Sequence, residues 1–168
     1  LREMAISQKH ISGHKPFEKL KYEIKMQDLS FNYPGSEAVL DNINLTIPKG
    51  SMVAFVGDSG AGKSTLADFL MGFYEPKNGK ITIDNVDFSE FDIASYRKRI
   101  GYVAQDSILF NMSIADNLRW ANDSATDQEI KDACVLADAD GFIEAFETKY
   151  DTIAGDRGVK LSGGQIQR

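Results

Sequence analysis

The chain has 168 residues, with 19 lysines and arginines against 25 aspartates and glutamates, a formal net charge of −6 at pH 7. That balance excludes a nucleic-acid backbone or an anionic membrane surface as the main partner, and no run approaches the roughly 18 apolar residues of a membrane-spanning helix. The length suits one domain, or one with a small insert; Leu1–Leu20 has no apolar signal core, and the single Cys134 cannot form an internal disulfide, which is compatible with a reducing cytosol.

Residues 1–20 are polar and basic, with Gly13 and Pro16 and no sustained period, and read as a connector from something upstream. His10 and His14 lie four apart, but Gly13 between them and the lack of a third ligand favour a solvated tail over a metal pair. Tyr22–Phe31 opens a β region whose alternation at Ile24 and Met26 slips before Leu29 and Phe31, the mark of a bulge. After a turn at Pro34-Gly35, Ile43, Leu45 and Ile47 alternate again, and Pro48-Lys49-Gly50 turns the chain into Ser51–Val56, an apolar run that reads as a buried strand.

Gly57-Asp58-Ser59-Gly60-Ala61-Gly62-Lys63-Ser64-Thr65 follows and satisfies G-x-x-x-x-G-K-[ST]. Gly57, Gly60 and Gly62 let the backbone curl so that several N–H groups face one concavity, a nest for anionic oxygens. Ser59 and Ala61 add their N–H groups to that loop. The helix expected over Leu66–Met71, stopped by Gly72, adds its unpaired first-turn donors and the positive end of its dipole. In this pattern Lys63 is placed to bridge the β- and γ-phosphates of a nucleotide, Ser64 to ligate Mg²⁺, and Thr65 to complete the loop.

Further on, Pro76–Gly79 reads as a hairpin-like turn into Lys80–Asp84, and Ile100–Ala104 as a second apolar strand ending at Gln105. From about Ser107 to Asp156 the texture is helical. Thr126-Asp127-Gln128-Glu129 is a capping box, and Ile130, Ala133, Cys134 and Ala137 form the stripe behind it, which reads Cys134 as core and not as a reactive thiol. Phe142, Ile143 and Phe146 continue the apolar face.

Leu161-Ser162-Gly163-Gly164-Gln165, downstream of a phosphate loop, decides the resemblance. From about Tyr22 to Arg168 the sequence resembles the nucleotide-binding domain of ATP-binding cassette transporters. Ser162 can cap the helix that starts there, and Gly163 and Gly164 permit close approach to a phosphate. The resemblance implies an α/β fold with a P-loop NTPase core, an N-terminal antiparallel β region and an inserted helical subdomain at about 107–168. It implies ATP and Mg²⁺ as ligands, with Tyr33 stacking on adenine and Gln105 joining Ser64 in the Mg²⁺ shell, so that Lys63 and Gln105 carry catalytic roles. It further implies that Leu161–Gln165 meets the γ-phosphate held by a second nucleotide-binding domain in a head-to-tail dimer. Two stretches look like the exporter branch: Ile108-Leu109-Phe110 with Ser113–Asn117, and Thr152–Gly158, where Asp156 stands in place of a usual Glu. The implied partner is then a transmembrane domain, and the implied location the cytoplasmic face of a membrane.

In the family an apolar strand ending in Asp-Glu, and later a switch histidine, follow the Ser-Gly-Gly motif. Neither is found in residues 1–168, so this polypeptide by itself is expected neither to turn over ATP above background nor, with apolar sheet edges and faces left uncovered, to fold well alone. The alternatives are a soluble cassette ATPase acting on chromosomes or ribosomes, and a non-catalytic nucleotide-binding scaffold. The short interval from Gln105 to Ser162 carries no heptads, and the acidic balance no basic insertions, which disfavours the first.

Overall fold

A computed structural model describes residues 13–36, 38–105, 107–155, 158 and 161–168. These divide into two compact units, one ending at Gly101 and the other beginning at Tyr102. His10 and the Asp156-Arg157 pair of the exporter-like loop lie outside the described residues.

The first unit is built on an antiparallel sheet of order β2-β1-β3-β4, with β1 Glu23–Phe31, β2 Leu40–Pro48, β3 Asn78–Ile83 and β4 Val86–Asp87. β1 slips register between Met26 and Leu29 against β2, and Asp28 adopts a φ of 50°. The extra residue turns Leu29 and Phe31 back to the face that Met26 buries, as the broken alternation predicts. Gly79 lies opposite this bulge, at a φ of 81°. A Cβ there would stand 2.3 Å from the Gln27 carbonyl oxygen, so only glycine lets the two backbones approach. Pro76–Gly79 is therefore not a hairpin turn: Asn78 and Gly79 already belong to β3.

Helix α1 spans Lys63–Leu70 and buries Thr65, Leu66 and Phe69 against the sheet, with Phe69 fully enclosed. Gly72, at a φ of 69°, ends it as expected, and its missing Cβ leaves room for the Phe88 ring and the Ile93 side chain. A short helix α2, Ile93–Arg97, is capped by the Asp92 carboxylate, which accepts from the N–H groups of Ala94 and Ser95. Residues 13–20 do not run free. Phe17 is buried edge-on to Phe91 and Tyr96, its N–H donates to Ser95 Oγ, and the Lys15 backbone exchanges hydrogen bonds with Glu90 and Asp92.

Two expected strands are not formed. Residues 51–56 and 100–104 enter no ladder among the described residues; Met52 and Val56 are almost fully exposed, and Tyr102 and Val103 largely so. An apolar run states a preference for burial, but a strand exists only where neighbouring strands take its N–H and C=O groups. The four described strands pair in the order β2-β1-β3-β4, and neither segment is hydrogen-bonded into that sheet, although Phe55 and Ile100 pack against its core.

The second unit is helical: α3 Ile114–Arg119, α4 Asp127–Leu136, α5 Asp140–Glu144 and α6 Gly163–Gln167, with a 3-10 turn at Lys149–Asp151. Its core joins Ile114, Cys134, Ala139 and Ile143. The capping box at α4 forms as the sequence predicts: Glu129 N–H donates to Thr126 Oγ1, and Thr126 N–H to the Glu129 carboxylate. The stripe behind it is narrower than expected, because Ile130 and Cys134 are buried while Ala133 and Ala137 face solvent. Burial raises the Cys134 thiol above its ordinary range, a structural and unreactive cysteine.

Candidate functional site

The segment from Gly57 to Thr65 wraps the N-terminal end of α1. Ala61 N–H donates to the Asp58 carbonyl, closing a tight turn, and Gly60 and Gly62 lie at φ 86° and 81°. Gly62 is the residue before the helix, and no side chain caps the first turn behind it, so the α1 donors stay directed into the loop. Lys63 folds back over this concavity, its Nζ donating to the carbonyls of Gly57 (2.8 Å) and Asp58 (2.6 Å). Ser59, Ala61 and Ser64 are exposed, whereas Thr65 is buried. The cradle is thus lined by backbone donors and one cation, with the Ser64 hydroxyl open at its rim. That donor set fits an anionic, metal-bound polyphosphate.

The far end of α1 is anchored by residues that no motif marks. Tyr96 Oη donates to the Leu70 carbonyl at 2.7 Å, and Arg97 donates through Nε to Met71 and through Nη2 to Gly72. The carbonyls of the last helical residue and of the two residues that follow it are so paired, with a cation at the negative end of the dipole. Burial pushes the Tyr96 phenol up to about 12, so this clamp stays protonated throughout the physiological range.

Tyr33 belongs to the turn after β1. Its hydroxyl lies 3.0 Å from Thr65 Oγ1, and its ring meets Phe31 and Tyr74 nearly at right angles. Lys77 Nζ donates to Asn32 Oδ1, while the Asn32 amide bonds the carbonyls of Tyr33 and Ser36, which holds the turn in shape. The structure therefore brings Tyr33 to the Gly57–Thr65 segment across about thirty intervening residues. Tyr74, Lys77, Tyr96 and Arg97 were not singled out from the sequence; they lie outside the motifs, and their spacing from α1 carries no period.

Gln105 and Leu161–Gln165 lie in the second unit. Gln105 is exposed and follows the unpaired segment 100–104. Ser162 caps α6 in a reciprocal box: Gln165 N–H donates to Ser162 Oγ, and Ser162 N–H to Gln165 Oε1. Gly163 and Gly164 have open space where a Cβ would stand, so their surface is free for close approach by another group. Leu161 is half-buried, and its N–H donates to the Gly158 carbonyl. Elsewhere in this unit a cleft of about 560 Å³ is lined by charged groups, but its cations are already paired, Arg119 with Asp127, and Lys131 and Lys149 with Glu144. It offers a polyphosphate no unpaired positive charge.

A family model described as ABC transporter matches residues 40–168. The chain belongs to the ABC transporter family. This ABC chain is 47% identical over 161 residues to ABC transporter B family member 1 of Dictyostelium discoideum, covering 95% of the chain and 18% of that relative. It is 45% identical to the heterocyst differentiation ATP-binding protein HepA of Nostoc, covering 94% of the chain and 26% of HepA. Among solved structures, a bacterial Atm1-family ABC exporter with ATP bound superimposes with a TM-score of 0.85 at 34% identity, over 98% of this chain and 29% of that one. The ABC chain thus spans between 18% and 29% of the length of the relatives named here. Its fold is that of an exporter ATP-binding domain, an α/β mixture with a small antiparallel sheet. No helix among the described residues is long and apolar enough to cross a membrane.

Proposed function

We propose that this chain is the nucleotide-driven motor of an exporter, binding MgATP at Gly57–Thr65 and passing the resulting closure to a transmembrane domain of the same protein. The observation that carries it is the loop ahead of α1, where Gly60 and Gly62 at positive φ, an uncapped helix start and Lys63 converge on one concavity. In this reading the loop N–H groups and Lys63 hold the phosphates, Ser64 and Gln105 ligate Mg²⁺, and Tyr33 stacks on the base. MgATP supplies the phosphoanhydride whose cleavage resets the motor. Leu161–Gln165 reaches the γ-phosphate held by a second nucleotide-binding domain, so that two domains close head to tail only when nucleotide is bound. The whole protein would sit at the cytoplasmic face of a membrane and hydrolyse ATP, while residues 1–168 alone, with no general base for water, would not.

The test is Lys63→Ala in the full-length protein. Loss of MgATP binding by calorimetric titration, with loss of turnover, is expected; unchanged affinity would contradict the assignment. A purified polypeptide of residues 1–168 whose ATP turnover disappears with Lys63→Ala would overturn the claim of inactivity.

A further inference from the structure

Residues 13–17 are laid across the first unit as a strap. Lys15 N–H donates to the Glu90 carbonyl at 3.0 Å, and the Lys15 carbonyl accepts from Asp92 N–H at 2.8 Å, a parallel bridge opposite Phe91. A Cβ on Gly13 would stand 2.0 Å from the Glu90 carbonyl oxygen, so strap and turn meet backbone to backbone just ahead of α2. Phe17 N–H then donates to Ser95 Oγ at 2.8 Å, and Ser95 Oγ donates in turn to the Asp92 carbonyl. These bonds set the buried Phe17 ring edge-on to Tyr96, with centroids 5.1 Å apart, and Phe88 meets Tyr96 in the same manner at 4.9 Å. The Tyr96 ring is thus fixed by two others, and its hydroxyl donates to the carbonyl of Leu70, the last residue of α1.

We propose that Phe17 is a positioning residue for nucleotide binding: it sets the Tyr96 ring, Tyr96 sets the end of α1, and α1 carries the Gly57–Thr65 donors to the phosphates. The strap at 13–17 then belongs to the binding machinery and is more than a connector. The direction follows from how α1 is held. Its first turn has no side-chain cap, whereas Tyr96 and Arg97 grip the carbonyls at its far end. The ladder of N–H to C=O bonds makes a short helix move nearly as one body, so a shift at Leu70 is passed to Lys63. Tyr96 is only 5% exposed, and a buried hydroxyl needs a partner, which keeps it committed to Leu70. Removing the Phe17 ring opens space into which the Tyr96 ring can lean, drawing that hydroxyl off the carbonyl. The coupling is reciprocal: nucleotide that fixes α1 also tightens the strap, and displacing the strap loosens nucleotide. This inference rests on the reading of Gly57–Thr65 as the MgATP site.

The experiment titrates MgATP calorimetrically into the full-length protein and its Phe17→Leu, Tyr96→Phe, combined Phe17→Leu with Tyr96→Phe, and Lys63→Ala variants. The stoichiometry reports the folded fraction, so the affinity is that of folded protein alone. Tyr96→Phe keeps the ring against Phe17 and Phe88 and loses only the bond to Leu70. Phe17→Leu and Tyr96→Phe are each expected to weaken MgATP by about three- to tenfold, the worth of one net hydrogen bond. The combined variant should lose no more than the larger single effect, because both changes act on one path. Side chains that merely support the fold would lower the melting temperature and leave the affinity of the folded fraction unchanged. Unchanged affinity in Phe17→Leu therefore overturns the proposal. So does a combined loss equal to the product of the two single losses, since Phe17 would then act by a route that avoids Tyr96. If Lys63→Ala binds MgATP as wild type does, the site reading itself fails. If Lys63→Ala does not bind while Phe17→Leu binds normally, only the role of the strap is lost.

Discussion

Gly60 and Gly62 offer a matched pair for testing how tightly the Gly57–Thr65 loop is built. Both lie in the left-handed region, at φ 86° and 81°, where alanine costs about 1–2 kcal/mol. They differ in surroundings. A Cβ on Gly60 meets nothing within 4 Å, whereas on Gly62 it would stand 2.8 Å from both the Val39 carbonyl oxygen and Leu40 Cδ2. Neither neighbour can yield cheaply: Val39 N–H is bonded to the Phe31 carbonyl, which fixes that backbone, and Leu40 is buried at 3% exposure. Overpacking of this kind adds about 1–3 kcal/mol, so Gly62→Ala should cost about 2–5 kcal/mol in all, against about 1–2 kcal/mol for Gly60→Ala. In a domain of this size each kcal/mol lowers the melting temperature by about 2–4 °C. The assay is scanning calorimetry of the full-length protein, following the transition that MgATP moves upward, which identifies the domain by linkage. Gly62→Ala should melt at least about 2–4 °C below Gly60→Ala. Equal melting temperatures, or a milder effect at Gly62, would refute the claim that this residue is closed in by the start of β2.

Asp84, at a φ of 52°, accepts from the N–H groups of Lys21, Tyr22 and Glu23; although desolvation opposes ionisation, these three donors hold its carboxyl below the usual range. Asp84→Ala should cost about 2 kcal/mol in a denaturation experiment, and Asp84→Asn, which tolerates the backbone and keeps an acceptor, about half of that. Because the folded value lies below the unfolded one of about 3.9, this stabilisation is complete above that pH and disappears as pH falls through the folded value. An acid titration of the melting temperature should therefore drop less steeply in Asp84→Asn than in wild type, and parallel curves would remove Asp84 from the account. Ser162→Ala should leave MgATP binding at the Lys63 loop intact but weaken ATP-dependent pairing in light scattering, whereas Ser162→Thr keeps the cap of α6. Pairing equal to wild type in the alanine variant would sink the role given to that turn.

What could be read from the sequence by itself was whatever a residue settles with neighbours a turn or two away. The caps by Thr126 and Ser162 each close within three residues, and Gly72 ends α1 through its own backbone. The turn geometry of Gly57–Thr65 was legible for the same reason, since its glycines and Lys63 act on backbone within six residues. The β1 bulge announced itself as a broken alternation. Tertiary structure decided what depends on distant partners: Gly79 against the β1 bulge, Phe17 bonded to Ser95, Tyr96 and Arg97 closing α1, and Tyr33 reaching Thr65. The apolar runs at 51–56 and 100–104 show the limit most plainly, because hydrophobicity reports only that a segment prefers burial. Whether it becomes a strand is settled by the neighbours that complete its hydrogen bonds.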